Sequence, residues 1–358
     1  MRRHGFDWLR IGVIILLFPF HTARVFDAWE PNYVKDAANI NGFCTWLIAA
    51  LGYWLMPLLF FIAGYAAYQA LRKRTPGQYV KERVSRLLVP FLAGLVLIVP
   101  PQGYLALTQQ YGYTDDYFSF LGRYFTDFSD LSGYTGGFTP AHLWFILYLF
   151  VISLALLAPL VWMVRRPDKL KMLAKPWTMI LAVVLVTLME ALPDIGGKNP
   201  FFFAMIFLLG AVFANSDAFI DVLRRRRFAF LAGAAAATGA VLTIEATVGW
   251  LEGYTAEGIG FALLRNLSVW LIILALTGLA DQYLNRESKA LGILNRASYP
   301  VYIFHQTVLI AAAYFIVMLD VYWVVKYVAI VLATMALSWG GYEVSRRLRV
   351  TRFLIGIK

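Results

Sequence analysis

Trp8 to Phe26 reads WLRIGVIILLFPFHTARVF, a mainly apolar run long enough to cross a hydrocarbon core of about 30 Å as a helix rising about 1.5 Å per residue. Arg10, His21 and Arg24 interrupt it and no small-residue cleavage site follows, so the segment is expected to stay as a helix and not to be removed as a leader. Working outward, comparable runs fill the chain: Phe43 to Leu71, Leu87 to Leu107, His142 to Val164, Pro176 to Leu192, Phe201 to Ala214, Phe228 to Trp250, Phe261 to Ala280, Ser298 to Leu319 and Tyr322 to Tyr342. The 358 residues are 60% hydrophobic and 15% charged, with a mean hydropathy of +0.66, a balance that no water-facing surface of a domain this size would carry. The expected fold is all-α: a polytopic integral membrane protein of about ten transmembrane helices, with the lipid bilayer as its solvent. With no linker, low-complexity tract or internal repeat, residues 1–358 read as a single transmembrane domain.

A net charge of +11 raises the question of a nucleic-acid partner, and the placement of the charge answers it. Of the 32 lysines and arginines, 25 fall in alternate loops: Arg2 and Arg3, the stretch Arg72 to Arg86, Arg165 to Lys175, Arg224 to Arg227, Arg286 to Arg296, and Arg346 to Lys358. The opposite loops hold only Lys35, Arg123 and Lys198, beside acids such as Asp27, Glu30, Asp36, Asp115, Asp116, Asp127, Asp130, Glu252 and Glu257. The positive-inside rule puts the basic loops, and both termini, in the cytoplasm and makes the crossing number even. Topology and anionic lipid then account for the basic patches without nucleic acid. The single cysteine, Cys44, excludes an internal disulfide framework, and the four histidines lack the spacing of a zinc site, so no metal is expected.

Ionisable side chains inside apolar spans are functional candidates by default. Arg10 and His21 are eleven residues apart, which at about 100° per residue puts them within about 20° of one helix face, about 16 Å apart along the axis. Arg24, three residues on, shares that face, and Pro19 is expected to kink the helix just before the histidine. Arg10 also reads as a snorkelling arginine paired with Asp7, and His21 as a packed neutral histidine; a general base is the functional alternative for His21. Arg83 and Arg86, three apart at the start of the third span, form a natural phosphate clamp on one face, or two ordinary cytoplasmic cations. His142 and Trp144 stand at the outer mouth of the fourth span and His305 lies about two turns into the ninth; either histidine suits a hydrogen-bonding role behind a reactive group. Glu190 and Glu245 sit towards the outer ends of their spans, as partners for Arg24 or Arg265. No carboxylate sits at the centre of a span, where an ion-coupled transporter would usually need one.

The longest loop, residues 108–141, carries Tyr117, Phe120, Leu121, Tyr124, Phe125 and Phe128 at helical spacing. It reads as an interfacial helix, either an aromatic anchor or an acceptor-side lid.

Phe6-Asp7-Trp8-Leu9-Arg10 followed after ten residues by His21 resembles the first-helix signature of the membrane acyltransferase family three, and Arg83-Val84-Ser85-Arg86 resembles its paired arginines at the start of the third helix. Phe60-Phe61-Ile62-Ala63-Gly64-Tyr65 is similar to its second-helix sequence, with Ala63 where serine is usual. Pro19-Phe20-His21, Val84 to Pro90, His142-Leu143-Trp144-Phe145-Ile146-Leu147, Ser298-Tyr299-Pro300-Val301-Tyr302-Ile303-Phe304-His305, Tyr342-Glu343-Val344 and Arg352-Phe353-Leu354 resemble its glucan succinyltransferase branch. The resemblance implies an enzyme of the plasma (inner) membrane. It would move an acetyl- or succinyl-class group from cytoplasmic acyl-CoA, a co-substrate and not a resident cofactor, to a hydroxyl of a glycan or related acceptor on the outer side. It carries over His21 as general base or acylated nucleophile, and Arg10, Arg83 and Arg86 as contacts of coenzyme A. Arg24, His142 and His305 are added as catalytic candidates from the residues themselves, Arg24 as a donor to the oxyanion. The competing class is a transporter or flippase of an amphipathic glycolipid or acylated product, and a homo-oligomer is compatible with either.

Overall fold

A backbone in lipid has no water to bond, so a spanning chain must satisfy its amides within itself, and helices do so segment by segment. The computed structural model describes residues 3–29, 31–169 and 177–357, and among these the secondary structure is helical apart from one isolated bridge between Ile195 and Lys198. Of the residues weighed above, Arg2, Glu30, Lys171, Lys175, Lys358 and Pro176 lie outside the described residues.

The helices run in the order α1 His4–Ala23, α2 Gly42–Gly52, α3 Leu55–Leu71, α4 Pro76–Arg83, a π-helical turn Val84–Leu88, α5 Val89–Leu97, α6 Pro100–Tyr111 and α7 Tyr117–Thr126. After a 3-10 turn at Ala141–Leu143 come α8 Trp144–Ala155, α9 Leu157–Arg165, α10 Thr178–Glu190, α11 Pro200–Phe213, α12 Asp217–Thr247, α13 Ala256–Tyr283, α14 Lys289–Ile316, α15 Trp323–Ser345 and α16 Arg349–Leu354. Among the described residues, seven segments are long and apolar enough to cross a membrane: α1, α2 with α3, α4 to α6, α12, α13, α14 and α15. An eighth is the pair formed by the 141–155 segment and α9, bent by 55°. The two remaining expected spans coincide with α10 and α11, whose 13 and 14 helical residues reach only about 20 Å. Asn199, Ser216 and Thr255 start α11, α12 and α13 as side-chain caps, the cap oxygen accepting the backbone amide three residues on.

The chain divides into two compact units, each made of non-contiguous stretches. The first takes the chain up to Val13, Ala49–Lys81 and Val151–Leu291; the second takes Ile14–Ile48, Glu82–Phe150 and Gly292–Lys358. In the first, α3 and α11 cross backbone to backbone. A Cβ added at Gly64 would lie 1.8 Å from the Phe207 carbonyl oxygen, and one added at Gly210 1.9 Å from that of Phe61. Phe60 stacks on Phe203 at 4.7 Å beside this crossing. Small residues at such a contact replace the hydrophobic driving force that lipid withholds from helix association. Glu190 pairs with Arg265, one of its two expected partners, and accepts from Asn266 at 2.7 Å. Glu245 instead accepts from the Tyr53 hydroxyl.

In the second unit α6 runs on to Tyr111 and ends at Gly112, whose φ of +64° is the left-handed closure glycine adopts readily, so the long loop begins later than residue 108. The expected helix in that loop is present as α7. Its inward stripe, Phe120 and Tyr124, is fully buried, with Phe120 packed edge-on against Tyr104 of α6. Asp116 caps α7, accepting from the amides of Phe118 and Ser119 and from the Ser119 hydroxyl, bonds that hold its carboxyl below the usual carboxylate range. A depressed folded pKa gives a contribution present above the ordinary carboxyl pKa of about 4 and lost as pH falls through the lower folded value. Asp116→Ala should therefore speed amide exchange at Phe118 and Ser119 at neutral pH. Wild type and variant should converge in strongly acidic buffer, as measured by mass-resolved hydrogen exchange.

Candidate functional site

The second unit gathers three of the four histidines. α1 continues through Pro19 to Ala23 and carries His21 on its last turn; the Tyr327 hydroxyl donates to the Pro19 carbonyl at 2.9 Å. The middle of α14 brings His305, and the 3-10 turn before α8 brings His142. The ring centroid of His305 lies 5.3 Å from that of His21 and 5.1 Å from that of His142. The turn that delivers His142 carries a backbone cost: Ala141 has φ +42°, unusual for a residue with a Cβ, and its amide is held by the Thr139 hydroxyl at 2.9 Å.

The hydrogen bonds fix the tautomers of two of the rings. Carbonyl oxygens only accept, so His142 Nε2, 2.9 Å from the Ile303 carbonyl, must carry a proton, and its Nδ1 is left to accept from Gln102 Nε2 at 3.3 Å. Gln102 also donates to Thr307 Oγ1 at 2.7 Å, and Thr307 donates to the Ile98 carbonyl at 2.7 Å. Both nitrogens of His142 are thus occupied in a ring that is 5% exposed. His305, 1% exposed, donates from Nδ1 to the Tyr302 carbonyl at 2.5 Å, which leaves the lone pair of Nε2 buried without a hydrogen-bond partner. His21 is half-buried and its ring has no hydrogen-bond partner among the described residues. It lines a small, partly open cleft with Val25, Asn32, Tyr33, Gln306 and Leu309. The arrangement is one open imidazole in the cleft, one buried lone pair behind it, and one histidine committed to structure. With both His142 nitrogens and His305 Nδ1 engaged, the cluster does not offer three nitrogen donors to a metal ion.

Arg24 departs from the expectation. The helix ends at Ala23, so Arg24 lies past it and does not continue the His21 face. Its guanidinium is paired with Asp27 and donates to the Pro31 carbonyl at 2.7 Å, and neither Glu190 nor Glu245 is its partner. Asp27, wholly buried, also holds Lys35, so the three charges tie the turn after α1.

The arginine pair of the third span also sits differently. Arg83 caps the N-terminal end of the π turn and Arg86 lies inside it. Pro90 has no N–H for the Arg86 carbonyl, Val89 reaches back five residues to the Val84 carbonyl, and the Tyr299 hydroxyl supplies the missing donor to Arg86 O at 2.8 Å. The shared face expected for Arg83 and Arg86 assumed α-helical spacing, which the wider turn does not keep. Arg86 Nε lies 3.4 Å from Glu82 Oε1. Arg10, in the first unit, keeps the expected neighbour, with Nη2 3.5 Å from Asp7 Oδ1.

Asn32, Tyr33 and Val34 line the cleft, and no residue of α7 does. Tyr33 is fastened to the long loop through its hydroxyl, 2.9 Å from the Ser132 carbonyl, and its ring meets Tyr134 edge-on. Gln102, Gln306 and Thr307 complete the polar set. Their signal in the sequence was the polar run His305-Gln306-Thr307 and the lone Gln102 inside otherwise apolar stretches.

Multiple apolar helices with a histidine cluster at an open cleft define a multi-pass membrane protein with a candidate reaction site. A family described as "Acyltransferase domain" matches residues 3–343, and the chain belongs to that acyltransferase family. It is similar to the proteins named Glucans biosynthesis protein C of Salmonella paratyphi B, Salmonella heidelberg and Salmonella agona, each 23% identical over 177 residues. The matched stretch takes in 48% of this chain and 42% of each relative, so less than half the length of these curated relatives is covered. No solved structure matches the chain significantly.

Proposed function

We propose that the protein is a plasma-membrane O-acyltransferase that moves an acetyl- or succinyl-class group from cytoplasmic acyl-CoA to a hydroxyl of a glycan or related acceptor on the outer side. The observation that carries this reading is His21: of the three clustered imidazoles, it alone has an unengaged ring that opens on a cleft. The family assignment supplies the reaction class, and the name of the similar Salmonella proteins supports a glucan-type acceptor. Ten crossings with cytoplasmic termini belong to the same proposal, supported by the alternation of basic loops.

In the proposed step, neutral His21 takes the proton of the acceptor hydroxyl as its oxygen attacks the thioester carbonyl. The tetrahedral oxyanion collapses, the carbon–sulfur bond breaks, and the imidazolium returns the proton to the departing coenzyme A thiolate. The His305 Nε2 lone pair would accept a proton-bearing nitrogen of His21 and turn the other nitrogen to the cleft. Arg83, Arg86 and Arg10 are proposed as contacts for the coenzyme A phosphates, because guanidinium groups bind phosphate with two parallel hydrogen bonds. Arg24 is proposed only as a positive charge near His21, since its donors are committed to the turn.

The test is release of free thiol from acetyl- and succinyl-CoA by purified protein in detergent, with and without glucan acceptors. Acceptor-dependent release supports the reading. Neither release nor coenzyme A binding across both donors overturns it.

A further inference from the structure

We infer that Arg296 and Arg352 hold the 3′-phosphate of coenzyme A, beside the arginine pair of the third span. The inference rests on the acyl-CoA reading and adds to it the part of the donor that these two residues bind.

Three elements of the second unit meet at one backbone atom, the Arg86 carbonyl oxygen. The Tyr299 hydroxyl of α14 donates to it at 2.8 Å. The turn after α16 closes over the same spot. Gly356, at φ +68°, has no Cβ, and one added there would lie 3.0 Å from Pro90 Cγ, 3.1 Å from a Tyr299 ring carbon and 3.5 Å from that oxygen. Each element carries an arginine about one turn from this junction: Arg83 three residues before Arg86, Arg296 three before Tyr299, and Arg352 four before Gly356. A spacing of three puts Arg296 and Tyr299 on one side of α14. The Arg296 side chain leans back towards the start of that helix, with Nη1 3.9 Å from where a Cβ of Gly292 would stand. Arg352 is tied to the junction through its own carbonyl, which accepts from the Ile357 amide at 2.9 Å as the helix closes.

The charges at this junction are uneven. Arg86 has Glu82 beside it. Arg296 and Arg352 are exposed, and their side chains have neither an ion pair nor a hydrogen bond among the described residues. Residues 288–319 and 344–358 contain no Asp or Glu, so neither element supplies its own counter-charge. Coenzyme A carries a diphosphate and, on its ribose, a phosphate monoester. The proposed role of Arg83 and Arg86 suits the diphosphate. The monoester, with about two negative charges at neutral pH and three acceptor oxygens, is the group that two further guanidiniums match.

The test compares the binding of coenzyme A and of dephospho-coenzyme A, which lacks only the 3′-phosphate, to the full chain in detergent by isothermal titration calorimetry. Wild type is expected to bind coenzyme A about tenfold or more tightly, the worth of hydrogen bonds to a charged group. Arg296→Gln and Arg352→Gln should each lower that ratio, and the double variant should bring it close to one by weakening coenzyme A alone. Unchanged dephospho-coenzyme A binding shows that each variant is folded. Arg349→Gln, a turn farther from the junction on the same helix, should keep the wild-type ratio. A wild-type ratio near one, a ratio kept in the double variant, or an equal loss in Arg349→Gln overturns the inference and leaves the acyl-CoA reading standing. If the two arginines serve a lipid headgroup instead, native mass spectrometry will show the double variant losing bound phosphatidylglycerol while the ratio stays, which also overturns it. Binding of neither nucleotide overturns the acyl-CoA reading and the inference together.

Discussion

His21→Ala is expected to lower kcat for acyl transfer by about a thousandfold, within the range by which positioned general bases accelerate proton transfer. Coenzyme A binding and the thermal midpoint should change little, because the ring takes no hydrogen bond from the fold. His21→Gln, which restores polarity but has no basic nitrogen at this pH, should be as inactive as the alanine variant. A variant that matches a demonstrably active wild type would remove His21 from the reaction. His142→Ala makes the control, because His142 is tied at both nitrogens. Its loss strands the Gln102 amide in a buried place and should lower stability by about 1–3 kcal/mol, read as a lower midpoint in detergent.

Gly64→Ala carries the largest structural effect. An added Cβ at 1.8 Å from the Phe207 carbonyl oxygen occupies space that backbone already fills, and no side chain is there to swing away. Helices α3 and α11 must part, which also breaks the stacking of Phe60 on Phe203. The cost should reach about 3 kcal/mol or more, at the upper end of overpacking effects, and Gly210→Ala should match it for the same reason against Phe61. Differential scanning fluorimetry in detergent measures both; a midpoint unchanged by either substitution would show that the two backbones do not touch. Ala63, which stands where the family usually has serine, is only partly buried, so the glycine beside it is the position this contact depends on.

The apolar segments were legible because lipid leaves the backbone few alternatives, so hydropathy and charge alternation report on them directly. Their interruptions were not. The break between Gly52 and Leu55 and the 55° bend before Leu157 lie in stretches as apolar as their surroundings. Around the site, Arg10 and His21 could be aligned on paper because one helix carries both. The meeting of His21 with His142 and His305 depends on packing between distant parts of the sequence, which no local spacing encodes. The spacing of Arg83 and Arg86 was read as α-helical, and the π turn that separates them, closed by Pro90 and Tyr299, has no local signature in the sequence. Arg24 was misread because the end of α1 is set by the ion pairs of the next turn and not by a break in apolar character.

The crossing of α3 with α11 has a consequence for inheritance. Each glycine lies against the backbone one turn before the other, Gly64 on Phe207 and Gly210 on Phe61. Once either acquires a side chain the gap is already open, and a second added methyl meets far less resistance than the first. The two positions therefore behave as one locus: each constrains its partner while both are glycine, and either change releases the other.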